Sequence, residues 1–279
     1  MDGRASRGML IVCLFAILGT GCHLFASKAV LAKRLGQSTP ELPRATVTPS
    51  GETLVTYHTR LVDQPAGSSY LNAGLWDDTA NPLSHAQTTL LALNGLRIGV
   101  ISRAPPAELE RLASSDATVL GAMLRSGIIG ERRVIPINGP IESCRLGIQT
   151  AVTDAIQSKR FELVECGLNV TATALPDDKL KLHCEFQIQH GERQPWLRPT
   201  SDGSGFARTD ARNSESFPAL DFDVTLGRSD LLVVGATDDP VDKLGQAYFF
   251  AQSTDRIRQR VLLLQVGTRD QPGVAEQKR

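Results

Sequence analysis

The alternation of apolar and polar positions is cleanest in the second half of the chain. Leu180, Leu182, Cys184, Phe186 and Ile188 alternate with Lys179, Lys181, His183, Glu185, Gln187 and Gln189. Period two of this kind predicts a half-buried antiparallel strand. Upstream, Leu168, Val170, Ala172 and Ala174 alternate with Asn169, Thr171 and Thr173, and Pro176-Asp177-Asp178 supplies a turn. Both apolar sets are even-numbered, so one shared face requires an odd-length loop. A loop of Pro176 to Asp178 pairs Leu175 with Lys179 and Val170 with Cys184. Leu220, Phe222, Val224 and Leu226 alternate again, Gly227-Arg228-Ser229-Asp230 turns the chain into Leu231 to Val234, and Arg260 to Val266 forms a last strand.

The first half mixes patterns. Leu54 to Val62 reads as a strand, Pro65 to Ser69 as a loop, and Leu71 and Leu75-Trp76 as apolar anchors. Ser84-His85-Ala86-Gln87 has the spacing of a capping box, in which Ser accepts from the Gln amide and the Gln side chain reaches back. It predicts a helix through Leu90, Leu91 and Leu93, ended by Asn94-Gly95 with Gly95 as left-handed cap. The competing reading makes Asn94-Gly95 a hairpin turn; the start signal favours the helix. Leu96 to Ile101 is a buried strand, Ala107 to Leu112 a helix with Pro106 at its first position, and Val119 to Leu124 a further helical piece. The fold class expected is α+β: a small α/β unit over 53–160, then an antiparallel β-sheet domain over 161–267. The polar stretch 268–279 reads as a disordered tail.

The N-terminus places the chain. Arg4 and Arg7 precede the unbroken apolar run Met9 to Leu18, and Gly19-Thr20-Gly21 lead to Cys22. A basic segment, a short apolar segment and small residues make an export signal over 1–21. Ser27 to Glu52, with Pro40, Pro43 and Pro49, lacks apolar periodicity, so 22–52 reads as a linker. The small residues before Cys22 resemble the bacterial lipobox, whose Cys becomes the lipidated first residue of the mature protein. Gly19 stands where that pattern has Leu. Cleavage without lipid and retention as an uncleaved anchor are the alternatives. Each leaves the body of the chain exported, because the two arginines stay on the cytoplasmic side.

Composition narrows the classes. The 279 residues hold 30 Lys+Arg and 30 Asp+Glu. Losing 1–21 removes two basic residues and one acidic residue, so the exported body stays near neutral. No basic face is in prospect, and a nucleic-acid partner is not expected. Five cysteines are too few for a disulfide scaffold. Cys184 continues an apolar face and reads as a buried thiol. Cys166 falls opposite Ile188, roughly 13 Å from the Cys184 pair, too far for a disulfide. Pairing of Cys144 with either stays open.

No chemistry-bearing constellation stands out, and neither a cofactor nor a metal is expected. His183 and Cys184 are adjacent on a strand and cannot share one ion. Gly203-Ser204-Gly205 lacks the spacing of a nucleophile elbow. Asp238-Asp239-Pro240 reads as a solvated turn rather than a cation site. Asp221 and Asp223 share a strand face and invite an acid/base reading, but the wet face of a half-covered sheet explains them more simply. His190-Gly191 most simply ends a strand. Asn169-Val170-Thr171 spells a glycosylation acceptor inside a strand. Trp76 and Trp196 could line a glycan site, yet two isolated Trp suit a core residue and a loop residue better. Tyr248-Phe249-Phe250 suits a core strand better than a contact patch.

The pieces Leu168 to Thr173, Leu180 to Ile188, Leu220 to Leu226, the Gly227 turn and Leu231 to Ala236 together resemble the core of secretin-type domains, a strand-turn-strand followed by a late hairpin. The span Leu54 to Val266 also resembles a family of uncharacterised bacterial envelope proteins. Its marks are Leu75-Trp76-Asp77, Asn94 to Val100, Gln189-His190-Gly191 and Leu244 to Phe250. The chain lacks a clear amphipathic segment after Val266, unlike a complete secretin. The export signal, the linker, the clean strand alternation and the lack of a catalytic constellation together point to a non-catalytic protein of the cell envelope. It would be membrane-anchored through a lipid on Cys22 or an N-terminal anchor, face the periplasm, and contact an envelope partner or a second copy. A periplasmic ligand- or glycan-binding module is the alternative.

Overall fold

The structure, a computed structural model, describes residues 53–115, 118–199, 205–252 and 256–269. The signal, Cys22, the linker and the tail beyond Arg269 lie outside the described residues. Eleven strands are described. The first sheet contains β1 (Leu54–Pro65), β2 (Leu96–Ile101), β3 (Val119–Ile128), β9 (Leu231–Ala236), β10 (Phe250–Gln252) and β11 (Ile257–Arg269). The second contains β4 (Arg132–Ile148), β5 (Gln157–Ala174), β6 (Leu180–Pro199), β7 (Phe206–Ser216) and β8 (Phe222–Leu226). All named pairings are antiparallel. Helices are short: α1 (a π-turn Tyr70–Gly74 continuing into Leu75–Asp77), α2 (His85–Leu93), α3 (Ala107–Ser114) and α4 (Leu244–Phe249).

Hydrophobic pattern decides which sheet each strand joins. In β11, Val261, Leu262, Leu263 and Leu264 follow one another and are all buried. Successive side chains point to opposite faces, so such a run needs cover on both sides. The first sheet provides it, in the order β2-β9-β11-β1-β3. Leu262, Leu264 and Val266 enter the main core, while Val261 and Leu263 enter a second core closed by Leu71 and Leu75 of α1 and Leu109 and Leu112 of α3. The second sheet is covered on one face only. Leu168, Val170 and Ala172 of β5, Leu180 to Ile188 of β6 and Phe222, Val224 and Leu226 of β8 alternate into the main core.

The register of β5 and β6 matches the one expected. Val170 pairs with Cys184 and Cys166 with Ile188, and the Leu175 amide donates to the Lys179 carbonyl at 2.9 Å. Asp177 and Asp178 make the turn at φ 64° and 54°. Helix α2 also starts as expected, with the Ser84 hydroxyl accepting from the Gln87 amide and Gly95 at φ 76°. The Gln87 side chain does not reach back. It donates to the Asp221 carbonyl at 2.6 Å. Helix α4 lies in the main core, with Leu244, Gly245, Ala247, Tyr248 and Phe249 buried and the Tyr248 ring edge-on to Phe186 at 5.2 Å.

Five expectations are corrected. Val119–Leu124 is not helical; it belongs to β3, which pairs with the open edge of β1 from Leu54↔Ile128 to Val62↔Val119. Tertiary hydrogen bonding outweighs its weak local preference. The late hairpin does not form. β8 pairs with β6, whereas β9 pairs with β2 and β11. Leu232, Val233 and Val234 bury both faces of β9, and only the first sheet accommodates that. The Gly227–Asp230 turn, closed by Asp230 accepting from the Gly227 amide at 2.7 Å, passes the chain between sheets. His190-Gly191 does not end a strand: β6 bulges there, with Gly191 at φ 76°, and continues to Pro199. The aromatic run Tyr248-Phe249 is core, but helical. The boundary at 160/161 falls inside β5, and strands from both sides of it build the first sheet. The fold is mostly antiparallel β in two open sheets with minor helical cover, roughly consistent with the α+β class expected.

Candidate functional site

The bare face of the second sheet collects its polar side chains. Odd-numbered residues of β6 point away from the core. Register aligns Thr171, His183 and Asp223 in one row across β5, β6 and β8, with Arg132 of β4 next to Thr171. The adjacent row runs Val134, Asn169 and Glu185. Asp221 follows a 3-10 turn, Pro218–Leu220, and lies one residue before β8 beyond the Cys184↔Phe222 pair. Its amide donates to the Pro218 carbonyl at 3.3 Å and its carbonyl is held by Gln87.

These groups meet. His183 Nδ1 is 2.9 Å from Asp223 Oδ1, and Lys181 Nζ is 2.8 Å from Asp223 Oδ2. Arg132 Nη2 sits 2.9 and 2.7 Å from the two oxygens of Glu185. His183 Nε2 faces Glu185 Oε1 at 3.9 Å. One ligand-capable atom from each of His183, Glu185 and Asp221 lies within 4.8 Å of the others. The Lys181 hydrogen bond, helped by His183, holds the Asp223 carboxyl below its ordinary pKa. Burial, then the Glu185 charge, pushes Asp221 up. The two aspartates that share a face thus have opposite environments. His183-x-Glu185 facing Asp221-x-Asp223 is a period-two signal on paired strands; sequence inspection missed it because the β6–β8 pairing was not apparent.

The other sequence candidates disperse. Cys184 and Cys166 are buried and Cys144 is half-buried; all three are free. Burial pushes each thiol up. Trp76 is half-buried at the second core. Its indole N–H donates to the Leu71 carbonyl at 2.7 Å, and the Arg97 guanidinium covers its ring at 5.3 Å. The Trp196 side chain and Gly203-Ser204 lie outside the described residues. Asp238 pairs with Arg97 at 3.3 Å in a turn. Asn169 of the glycosylation spelling is buried within β5.

A second feature is the strand order, which ends on β3. Leu120, Ala122 and Leu124 are exposed along one face of it, Leu120 at 53% and Leu124 at 59%. Its ten residues carry one charge, Arg125, and no Pro. Leu197 and Phe206, towards the end of the β6–β7 arm, are also exposed, at 69% and 71%.

No family model matches this chain, and no curated protein matches it. Among solved structures it is similar to the InvG secretin domain β-barrel from the Salmonella SPI-1 injectisome NC-base. That match has a TM-score of 0.21 and 7% identity, over 89% of this chain and 81% of that one. It is similar to a structure of the Klebsiella pneumoniae type II secretion system outer membrane complex (PulD, PulS and PulC HR domain), with a TM-score of 0.20 and 15% identity, over 78% of this chain and 38% of that one. It is also similar to the type II secretin GspD from enteropathogenic Escherichia coli, with a TM-score of 0.17 and 12% identity, over 78% of this chain and 65% of that one.

Proposed function

We propose that this chain is a non-catalytic, membrane-tethered protein of the cell envelope that works by protein contact along a β edge. The observation that carries the reading is β3. Ten residues of strand present about 34 Å of edge, and proteins ordinarily blunt such edges with charges, Pro or bulges. β3 bulges once, at Leu120 opposite Leu61 and Val62, and beyond that point runs in unbroken register from Gly121 to Ile128 with a single charge and exposed Ala122 and Leu124. That combination suits strand addition, in which main-chain hydrogen bonds supply affinity and alternate side chains supply selectivity. The export signal supports the location. Cys22 as lipid attachment, or the apolar run as anchor, supplies the tether.

Crosslinking mass spectrometry on native envelopes tests this directly. Crosslinks from lysines or acidic residues near β3 to a second copy or to another envelope protein are expected, and Leu120→Lys with Leu124→Lys should abolish them. A strictly monomeric protein with no envelope crosslinks refutes the reading. The same digest reads the mature N-terminus: a lipid on Cys22 identifies the lipoprotein, and an intact Met1 identifies an anchor.

A further inference from the structure

We propose that the bare face of the second sheet holds a site for one divalent transition-metal ion, zinc being the fitting case, with His183, Glu185 and Asp221 as ligands. Donors around a tetrahedral zinc at about 2.0–2.1 Å stand roughly 3.3 Å apart. Here one donor atom from each residue already lies within 4.8 Å of the others, and the His183 Nε2 to Glu185 Oε1 distance is 3.9 Å. Small side-chain rotations close the set. The three residues sit on, or next to, two paired strands, so the backbone holds them in register.

Two buried acceptors stand at the site without a hydrogen-bond partner. Asp221 Oδ1 is buried without a hydrogen-bond partner. Asn169 is 1% exposed, its Oδ1 is likewise unpartnered, and it stands directly opposite Glu185 on the same sheet face. Cross-strand neighbours in this position have Cβ atoms about 5 Å apart, within reach of one ion. An unpaired buried acceptor is costly, and these two flank Glu185 from the strands on either side of it.

The neutral histidine suits the ligand role. In its neutral form Nδ1 donates to Asp223 Oδ1 at 2.9 Å, leaving the Nε2 lone pair facing Glu185 Oε1. Two acceptors then oppose each other. Carboxylate-oriented imidazoles are the usual outer support of zinc ligands, and Asp223 is itself fixed by Lys181. Arg132 gives Glu185 the same support. With the imidazole neutral, three carboxylates, Glu185, Asp221 and Asp223, face two cations, Arg132 and Lys181. The donor set selects the ion. An imidazole with carboxylates suits zinc and its transition-metal neighbours, whereas magnesium and calcium prefer oxygen alone. Cys184 points to the opposite face and contributes nothing. The His183 side chain is 47% exposed, leaving an entry path.

The test uses the full chain stripped with EDTA and dialysed. Calorimetric titration with ZnCl2 should show one equivalent bound tighter than about 10 μM, and CoCl2 should give the visible bands of a low-coordinate site. Asp221→Asn should weaken zinc at least tenfold, His183→Ala about a hundredfold or more, and Asp223→Asn, acting through His183, roughly 10–100-fold. Circular dichroism and the urea midpoint report folding of each variant. If His183→Ala does not fold, Asp221→Asn decides. Absence of stoichiometric zinc binding overturns the proposal, as does zinc binding unchanged in both His183→Ala and Asp221→Asn.

Discussion

Asp63 offers the sharpest test of how the two sheets are joined. It sits on β1 with its side chain 8% exposed, and takes Arg258 Nε at 2.7 Å and Arg260 Nε at 3.3 Å. Arg258 also donates to the Asp63 carbonyl at 3.1 Å. Arg260 Nη1 reaches across to Asn138 Oδ1 of β4 at 2.6 Å. The Asn138 amide in turn donates to the carbonyls of Ala247 and Phe250, each at 2.7 Å. One carboxylate therefore anchors a chain of contacts from the first sheet through the second to α4. Asp63→Ala leaves two arginines, 27% and 17% exposed, without their counter-charge. Breaking a buried pair on one side costs about 3–5 kcal/mol, and the partial exposure of the arginines favours the lower end. For a folded unit of this size, about 3 kcal/mol corresponds to a fall in Tm of roughly 6–12 °C. Asp63→Asn keeps the shape and one acceptor, so its loss should be smaller. Urea unfolding with linear extrapolation measures both, with m unchanged if the effect is on the native state. Repeating it in about 0.5 M salt should leave most of the difference, because buried pairs are weakly screened. A loss for Asp63→Ala below about 1 kcal/mol, or one that salt erases, would refute the reasoning.

Other predictions follow from single contacts. At Gly245 a Cβ would collide with the Gly95 carbonyl oxygen, so Gly245→Ala should destabilise by at least about 1–3 kcal/mol, read as a lower urea midpoint. Asp221, whose carboxyl is raised by burial and by Glu185, binds its proton more tightly folded than unfolded. Its ionisation therefore lowers stability as pH rises from the unfolded carboxylate pKa through the folded one. In metal-free protein Asp221→Asn should stabilise at pH 7 and be neutral near pH 3; stabilisation present equally at both values would sink the argument. In native protein at pH 8, a thiol reagent should modify half-buried Cys144 first, with buried Cys166 and Cys184 reacting only on unfolding. Equal rates for all three would contradict the packing. Leu124→Lys should change monomer stability by less than about 0.5 kcal/mol, because the side chain is 59% exposed.

The strands whose side chains alternate cleanly are legible along the chain, as are the turns made by residues with few alternatives. The β5–β6 register follows from two even-numbered apolar sets and a three-residue loop, because a one-residue slip would turn every core side chain into water. The start and stop of α2 follow from Ser84 and Gly95, since capping is a local interaction. Which strand meets which is settled by long-range packing and leaves no local mark. Val119–Leu124 has no pattern that excludes a helix, and the vacant edge of β1 makes it a strand. β8 and β9 look like a hairpin along the chain. They separate because one strand buries a single face and the other buries both, and only the first sheet has cover on two sides. The polar cluster depends on the same step. His183-x-Glu185 and Asp221-x-Asp223 lie about forty residues apart, and the β6–β8 ladder is the long-range hydrogen bonding that brings their side chains onto one face.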